Sequence, residues 1–152
     1  MTSVSRKERA YEKYAWVIFF VFGFATFISA PIVLLGRPPD PPSAQSTTGL
    51  TLDEIAARTP GILGYIGGIT TQLGNFMLAT GVLTMGIALV PYRRGERWAW
   101  YVSWVLPVLL VVQLANSLST GARLWQVDFV GLLVILAGLF MPYRKFFPKV
   151  TR

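Results

Sequence analysis

The sequence predicts an all-α fold: an integral membrane four-helix bundle made of two parallel-repeated helical hairpins, with a short amphipathic helix in the first outer loop. Hydrophobic residues make up 53% of the 152 residues and charged residues only 14%, a balance that is unusual for a soluble fold of this size. Four apolar runs are long enough to cross about 30 Å of hydrocarbon, which takes about 20 helical residues. Similar entry and exit motifs flank these runs in the same order in both halves of the chain.

The four runs fall within a single predicted transmembrane domain that covers residues 1–152. Spans are expected at about 14–36, 66–90, 98–118 and 124–142, and an outer loop at 37–65 separates the first two. The runs lack the sustained alternation of apolar and polar residues that is typical of membrane strands, and they are rich in Leu, Ala and Gly. Helices are therefore predicted for all four.

The first run is expected to be a retained helix rather than a cleaved signal peptide. Its apolar stretch exceeds the roughly 7 to 15 residues of a signal-peptide core. Pro31 also follows Ser29 and Ala30, which makes cleavage there awkward.

The outer loop has two parts with different predicted structures. Its first part, 37–43, reads Arg-Pro-Pro-Asp-Pro-Pro-Ser and is expected to be extended, because consecutive prolines disfavour a helix. The second part contains a helix start, in which Thr51 can cap the amide of Glu54 while the Glu54 side chain reaches back. The resulting short helix should end before Pro60, and it either lies on the membrane surface or docks a partner.

Positive charge is concentrated on one side of the predicted spans. Eleven of the 14 Lys and Arg residues lie on that side: Arg6, Lys7, Arg9, Lys13, Arg93, Arg94, Arg97, Arg144, Lys145, Lys149 and Arg152. Arg37, Arg58 and Arg123 are left for the other side. Because cationic loops tend to stay in the cytoplasm, we expect a multi-pass protein of the plasma (inner) membrane with cytoplasmic N and C termini. Aromatic residues mark the same boundary: Tyr11, Tyr14, Trp16, Tyr92, Trp98, Trp100 and Tyr143.

The entry and exit motifs predict an internal repeat. Glu-Lys-Tyr-Ala-Trp at 12–16 precedes the first span, and Glu-Arg-Trp-Ala-Trp at 96–100 precedes the third. Val-Pro-Tyr-Arg at 90–93 ends the second span, and Met-Pro-Tyr-Arg at 141–144 ends the fourth. Both hairpins would begin and end inside, so the repeat would be parallel, about an axis along the membrane normal. Alternatively, these residue types are simply favoured at the membrane interface.

Small residues recur every seven positions in three of the spans. They are Gly23 and Ala30 in the first, Gly67, Gly74, Gly81 and Ala88 in the second, and Gly131 and Gly138 in the fourth. Such spacing keeps them near one helix face, where backbones can approach closely. A left-handed bundle is therefore expected. Pro107 in the third helix would bend that helix or free a backbone carbonyl.

Composition excludes several kinds of chemistry. The chain has no Cys and no His, which removes disulfides, thiol chemistry, His-ligated haem, iron–sulfur clusters, the usual zinc and copper sites and Ser-His-Asp catalysis. The net charge of +7 lies in short clusters beside apolar runs, a pattern typical of membrane anchoring rather than of nucleic-acid binding. We expect no enzymatic activity, no cofactor, no metal site and no nucleic-acid partner.

Polar residues inside the spans form the one candidate site. Gln72 and Asn75 in the second span, like Gln113 and Asn116 in the third, are three positions apart on one helix face. At 1.5 Å per residue all four lie roughly 22 to 29 Å from the inner boundary, and Asp128 lies at roughly 21 Å. We expect the five side chains to converge in the outer leaflet. They would act as packing contacts between helices, as a subunit contact, or as a ligand-binding pocket for a polar headgroup, quinone or other amphiphile.

Asp128 is the most specific member of this set. A carboxylate inside the membrane is costly and is a functional hypothesis by default. Two structural roles are also open: a place in the first turn of its helix, where the helix dipole favours an anion, or an ion pair with Arg123.

The segment Arg-Arg-Gly-Glu-Arg-Trp-Ala-Trp at 93–100, with four spans and a long first outer loop, resembles uncharacterised small bacterial membrane proteins of the DoxX-like type. The resemblance covers the whole topology. That group includes proteins linked to quinone-dependent redox complexes, so the resemblance implies an accessory role. It transfers no catalytic residue to this chain.

Two functions are expected from these observations. The first is a non-catalytic accessory or scaffold subunit of a membrane complex, whose partners are membrane lipids and other membrane subunits or a second copy of the chain. The alternative is a binder or carrier of a lipid-like or quinone-like small molecule, held in the outer-leaflet polar pocket.

Overall fold

The computed structural model describes residues 10–35, 41–121 and 125–148, and all regular structure in these ranges is helical. The helices are α1 (Ala10–Tyr14), α2 (Trp16–Leu34), α3 (Pro41–Thr48), α4 (Leu52–Arg58), α5 (Ile62–Ile87), α6 (Arg97–Ser103), α7 (Val105–Ser119), α8 (Trp125–Phe140) and α9 (Tyr143–Phe146). A π-helical segment, Ala88–Tyr92, continues α5. The predicted all-α class is confirmed.

Four helical stretches are long and apolar enough to cross a membrane. They are Tyr11–Leu34, Ile62–Tyr92, Arg97–Ser119 and Trp125–Phe146, with mean hydropathies between 1.7 and 2.4. Each overlaps one of the predicted spans. The chain therefore has the architecture of a multi-pass membrane protein, as the sequence predicts.

The long helices run in alternating directions, which defines two ends. At the basic end, the Phe19 ring of α2 packs against Tyr92, 4.6 Å between ring centroids, beside the cationic turn at 93–97. At the loop end, Leu34 lies against Gly74 of α5, beside α3 and α4. We call the adjoining halves of the helices the basic half and the loop half.

The packing order is α5, α2, α8, α7, since α2 contacts both α5 and α8, and α8 contacts α7. At the basic end α6 also touches the π-helical segment. Among the described residues, α5 does not pack along α7 or α8. The arrangement is therefore closed at the basic end and open between α5 and α7.

Glycines allow α2 and α5 to approach closely. A Cβ atom on Gly81 would lie 2.8 Å from the Gly23 carbonyl oxygen, and one on Gly74 would lie 2.8 Å from the Leu34 amide nitrogen. Gly67 and Gly131 do not share this role, because a Cβ there would meet no heavy atom within 4 Å. The seven-residue stripe in the second span is thus only partly a packing face. Helix α2 ends at Leu34, which lies opposite Gly74. Gly67 lies two turns beyond that level, where the described structure has no part of α2 to pack against.

Prolines shape the helices near the basic end. Pro91 has no N–H group, and there the helix widens, so that the Arg93 N–H donates to the Ala88 carbonyl five residues earlier. In the third candidate span, a break at Trp104 separates α6 from α7, and Pro107 occupies the first turn of α7. A proline is tolerated there because first-turn N–H groups have no partner within the helix.

The loop between α2 and α5 contains two helices instead of one. The capping box of α4 is formed: the Thr51 N–H donates to Glu54 Oε2 over 2.7 Å, and the Glu54 N–H donates to Thr51 Oγ1 over 3.3 Å. However, the extended structure predicted for 37–43 is wrong at Pro41 and beyond, where α3 begins. Consecutive prolines fit a helix when they form its first turn. The remainder of that prediction, 37–40, lies outside the described residues.

The buried core lies in the basic half. It comprises Ala15, Phe19, Ala88, Tyr92, Ala99, Leu106, Ile135, Leu139 and Phe146. Side-chain donors join the helices there. The Tyr92 hydroxyl donates to the Gly138 carbonyl over 2.7 Å and Trp100 Nε1 donates to the Leu139 carbonyl over 3.0 Å. The Gly138 carbonyl needs an outside donor, because Pro142, four residues later, has no N–H to offer.

Candidate functional site

The five residues of the predicted polar layer lie in the loop half. The side chains of Gln72, Asn75, Gln113 and Asn116 are all exposed, and that of Asp128 is half-buried. Among the described residues, the four amide side chains make no hydrogen bond. The amides are therefore not joined by hydrogen bonds, and their convergence and their role in binding a ligand stay predictions.

The positions of Gln72 and Asn75 around the α5 helix explain why their side chains are exposed. The face of α5 that packs on α2 contains Gly74 and Gly81. Gln72 is two positions before Gly74, and Asn75 is one position after it. Since a helix turns by 100° per residue, both side chains point away from α2. Because α5 does not pack along α7 in the described structure, no neighbouring helix covers these amides.

Asp128 has a defined partner within the second hairpin. The buried Ser117 hydroxyl on α7 donates to Asp128 Oδ2 over 2.6 Å. Asp128 also occupies the first turn of α8, where the helix dipole stabilises a negative charge. Arg123, the other partner predicted from the sequence, lies outside the described residues. Asp128 therefore links α7 to α8.

An apolar cavity lies in the basic half, in the opening between α5 and the third candidate span. Its volume is about 190 Å³. Its lining residues are Phe19, Thr80, Leu83, Thr84, Ile87, Val102, Ser103, Val105, Leu106 and Leu109. No lining residue is charged. The candidate binding volume thus lies in the half opposite to the one predicted from the sequence.

The cavity has a buried floor and an exposed rim. Phe19 and Leu106 at the floor are 2% and 8% exposed, whereas Leu83 and Val105 at the rim are 65% and 55% exposed. The rim residues lie on helices that would face hydrocarbon in a membrane. The open side of the cavity is therefore the exposed rim that Leu83 and Val105 form between α5 and α7.

Three hydroxyl groups line this otherwise apolar cavity. Ser103 donates to the carbonyl of Ala99 over 2.7 Å. Thr84 is only 8% exposed, yet among the described residues its hydroxyl has no hydrogen-bond partner, and neither has that of Thr80. In the described part of the chain, every side-chain oxygen or nitrogen atom that is fully inaccessible to solvent has a hydrogen-bond partner. The unpaired Thr84 hydroxyl is therefore accessible from the cavity.

A shallow groove continues from this cavity to the basic end. It has a volume of about 440 Å³ and shares Leu83 and Ile87 with the cavity. Its far end is formed by Glu96 and Trp98, whose Nε1 donates to Glu96 Oε2 over 2.7 Å. The groove thus connects the apolar cavity with polar groups of the kind found at a membrane interface.

Above the cavity, towards the loop end, α5 and α7 are not closely packed, and we call the space between their facing sides the cleft. Phe76 lies on α5, one helical turn from Thr80, which lines the cavity. The Phe76 side chain is 71% exposed. Gln113 is four residues from Leu109 and seven from Leu106, so it shares their face of α7. An exposed aromatic ring and an exposed amide therefore border the cleft.

Sequence reasoning missed the cavity because it considered only amides and acids within the spans. Thr80 and Thr84 are one helical turn apart, and Ser103 is a further hydroxyl in an apolar run. Short hydroxyl side chains usually bond to their own helix backbone, so sequence alone does not distinguish an unpaired one.

No family model, curated protein or solved structure matches this chain. The resemblance to DoxX-like proteins thus stays a prediction based on the topology and the segment 93–100. Among the described residues, no group of three or more acidic side chains is placed to hold a metal ion.

Proposed function

We propose that this chain is a non-catalytic accessory or scaffold subunit that holds a transmembrane helix of a partner in the cleft between α5 and α7. The partner is another membrane subunit or a second copy of the chain. The supporting observation is the amide of Gln113 on the exposed face of α7 that borders this cleft, which has no hydrogen-bond partner among the described residues.

Depth makes this amide informative. Gln113 is 16 residues from Arg97, and therefore about 24 Å from the basic end at 1.5 Å per residue. That position lies within a hydrocarbon core of about 30 Å. A polar group without a partner in hydrocarbon is unfavourable by several kcal/mol, and a neighbouring helix with an amide or hydroxyl would satisfy it.

The proposal includes the finer architecture expected from the sequence. The four helices would form a bundle of two repeated hairpins in the plasma (inner) membrane, with both termini in the cytoplasm. Cation–aromatic contacts at the basic end support this orientation: Arg93 lies 5.2 Å from the Trp16 ring centroid, and Arg97 lies 5.7 Å from that of Phe147. Such pairs are favoured at the cytoplasmic interface.

A binder that uses the five-residue polar layer has less support. Four of its five members are exposed side chains without hydrogen bonds in the described structure, and Asp128 is bonded to Ser117. The amides therefore fit contact with another helix better than a closed pocket.

Crosslinking in native membranes tests the scaffold function. Because the chain has no cysteine, a single cysteine at Phe76 or Gln113 can carry a maleimide photocrosslinker with no second labelled site on the chain. Val134→Cys is the matched control, since Val134 is exposed on α8, away from the cleft. We expect one discrete protein adduct from Phe76→Cys and Gln113→Cys and none from Val134→Cys.

Two differently tagged copies of the chain, produced together, identify the occupant. An adduct that carries both tags indicates a second copy, and an adduct with one tag is then identified by mass spectrometry. If both cleft positions give only lipid adducts, or the same adducts as Val134→Cys, the scaffold proposal is wrong.

A further inference from the structure

We infer that the cavity in the basic half is a binding site for an uncharged, membrane-dissolved carbonyl compound whose oxygen accepts a hydrogen bond from Thr84. Neither the five-residue polar layer nor the proposed scaffold function includes this site. The inference rests on the Thr84 hydroxyl, the lining of the cavity and the direction in which it opens.

The Thr84 hydroxyl differs from comparable hydroxyls of this chain. Thr26, Thr71 and Ser103 each donate to the backbone carbonyl four residues earlier, over 2.7 to 3.0 Å. Thr84 is more than nine-tenths buried and makes no such bond among the described residues. A hydroxyl that faces apolar groups without a hydrogen-bond partner is unfavourable, so an acceptor in the cavity would be favourable.

The lining indicates what kind of molecule provides that acceptor. The cavity contains no charged side chain, and its walls are aliphatic apart from Phe19 and three hydroxyls. Desolvating an ionised group there would be strongly unfavourable. Ser103 already donates its proton to Ala99, which leaves the hydroxyl protons of Thr84 and Thr80 as donors. The ligand is therefore neutral and apolar, with a carbonyl oxygen as acceptor.

The position of the cavity indicates where the ligand comes from. Thr84 is eight residues from Tyr92, about 12 Å from the basic end at 1.5 Å per residue. The exposed rim at Leu83 and Val105 faces the position of the lipid tails. A molecule dissolved in the hydrocarbon can enter sideways, and the groove towards Trp98 has room for an attached chain.

Photolabelling with benzophenone tests the inference, because this probe is itself an uncharged apolar ketone. Protein in phosphatidylcholine nanodiscs would be irradiated with the probe, and adducts mapped by peptide mass spectrometry. We expect adducts on the cavity residues Leu83, Val102 and Leu106. Fluorenone should compete with the probe about 3- to 10-fold better than fluorene, which has the same shape but no carbonyl, as one hydrogen bond predicts.

Variants then assign the effect to the hydroxyl. Thr84→Val keeps the shape of the side chain and should abolish the preference for fluorenone, whereas Thr84→Ser should retain it. Thr70→Val is the matched control, since the Thr70 hydroxyl donates to its own backbone at Gly67, and it should behave like the unmodified chain.

The competition experiment on the unmodified chain decides the matter even if Thr84→Val does not fold. Equal competition by fluorene and fluorenone would overturn the inference. So would adducts spread over the exposed surface of α8, or an unchanged preference in a folded Thr84→Val. A partner helix that fills the cavity would prevent labelling altogether, which also contradicts a small-molecule site.

Discussion

The basic half and the loop half of the four long helices are held together differently. In the basic half, a buried hydrogen bond connects the two hairpins: Tyr92 after α5 donates to Gly138 of α8. In the loop half, the bonds between long helices in the described structure stay within a hairpin. Thr71 of α5 donates to Leu34 of α2 over 3.3 Å, and Ser117 of α7 donates to Asp128 of α8.

Proline placement accounts for this contrast. Pro142 follows α8 at the basic end, and because it has no N–H, the carbonyl of Gly138 is available to a donor from another helix. No proline occurs between Ile62 and Val90 or between Val108 and Met141. Most backbone carbonyls of the long helices in the loop half therefore bond within their own helix. Just beyond α7, the Thr120 carbonyl accepts a hydrogen bond from Ser46 of α3.

The contrast shows where each candidate activity can reside. The basic half forms a cavity with a buried floor at Phe19 and Leu106, which suits a small molecule. The open loop half presents exposed side chains such as Phe76 and Gln113, which suit a larger partner. The following predictions test whether the two halves, and the two hairpins, differ in this way.

The largest effect is expected from Gly81→Leu, which separates α2 from α5. A Cβ at Gly81 would lie 2.8 Å from the Gly23 carbonyl oxygen and 2.8 Å from the Phe27 amide nitrogen. Backbone atoms of two packed helices cannot move aside easily, so the free energy of unfolding should fall by about 3 kcal/mol or more. SDS-induced unfolding in mixed micelles measures this change.

Gly86→Leu is the matched control for that substitution. A Cβ at Gly86 would meet no heavy atom within 4 Å, so a leucine there should be tolerated or stabilising, as helix propensity predicts. If both variants unfold at the same SDS fraction, the close packing of the first hairpin is not what holds α2 and α5 together.

The next effect concerns the bond that joins the hairpins. Tyr92→Phe removes the hydroxyl that donates to the buried Gly138 carbonyl and should reduce the free energy of unfolding by about 1 to 3 kcal/mol, because that carbonyl loses its donor. Tyr143 holds the same place in the second Pro-Tyr-Arg motif but is 47% exposed, against 2% for Tyr92.

Tyr143→Phe is therefore the control and should change the unfolding free energy by less than about 0.5 kcal/mol. The same SDS titration measures both variants. Equal losses of unfolding free energy would mean that the two motifs serve equivalent roles and that the two hairpins do not differ at this position.

A smaller effect is expected from Asp128, in the loop half. Asp128→Asn keeps an oxygen that accepts the Ser117 hydroxyl, so folding should change little, whereas Asp128→Leu leaves that buried hydroxyl unpaired and should be destabilising by about 1 to 2 kcal/mol. Thermal unfolding in detergent compares the two. If Asp128→Asn folds normally yet loses a bound molecule or partner found with the unmodified chain, the charge has a role beyond contact with Ser117.

Much of the fold was predictable from the sequence, because it depends on regular physical patterns. Apolar run length predicts four membrane-length helices, and Thr51 with Glu54 predicts the capping box of α4. The start of α3 was not predictable in this way. Pro41 and Pro42 are compatible both with extended chain and with the first turn of a helix, and local sequence does not decide between them.

The candidate site was much less predictable. Depth along a helix follows from counting residues, and the amides do lie in the loop half as expected. Whether they meet depends on which helices are neighbours, and the separation of α5 from α7 is a tertiary property. Likewise, whether Thr84 bonds to its own backbone depends on its rotamer and on the space beside it. Neither is encoded in residue spacing.

The smallest effect tests the loop end by pH. The Thr51 backbone N–H, and secondarily the Thr51 hydroxyl, bond to the Glu54 carboxylate and lower its pKa below the ordinary value of 4.5. A carboxyl with a lowered pKa in the folded state stabilises that state above the unfolded pKa, and this stabilisation is lost as the pH falls through the folded pKa. The start of α4 should therefore loosen only below about pH 4.5. The buried basic half should stay unchanged, because α4 packs on α3 and α5 at the loop end. Carboxyl ¹³C titration of Glu54 by NMR, together with the α4 amide shifts, measures this in micelles.

Glu54→Gln retains an acceptor for the Thr51 N–H but cannot ionise, so its α4 shifts should be independent of pH over the same range. If Glu54 titrates at or above its ordinary value, or if α4 loosens equally in Glu54→Gln, the capping box does not hold this end of the molecule.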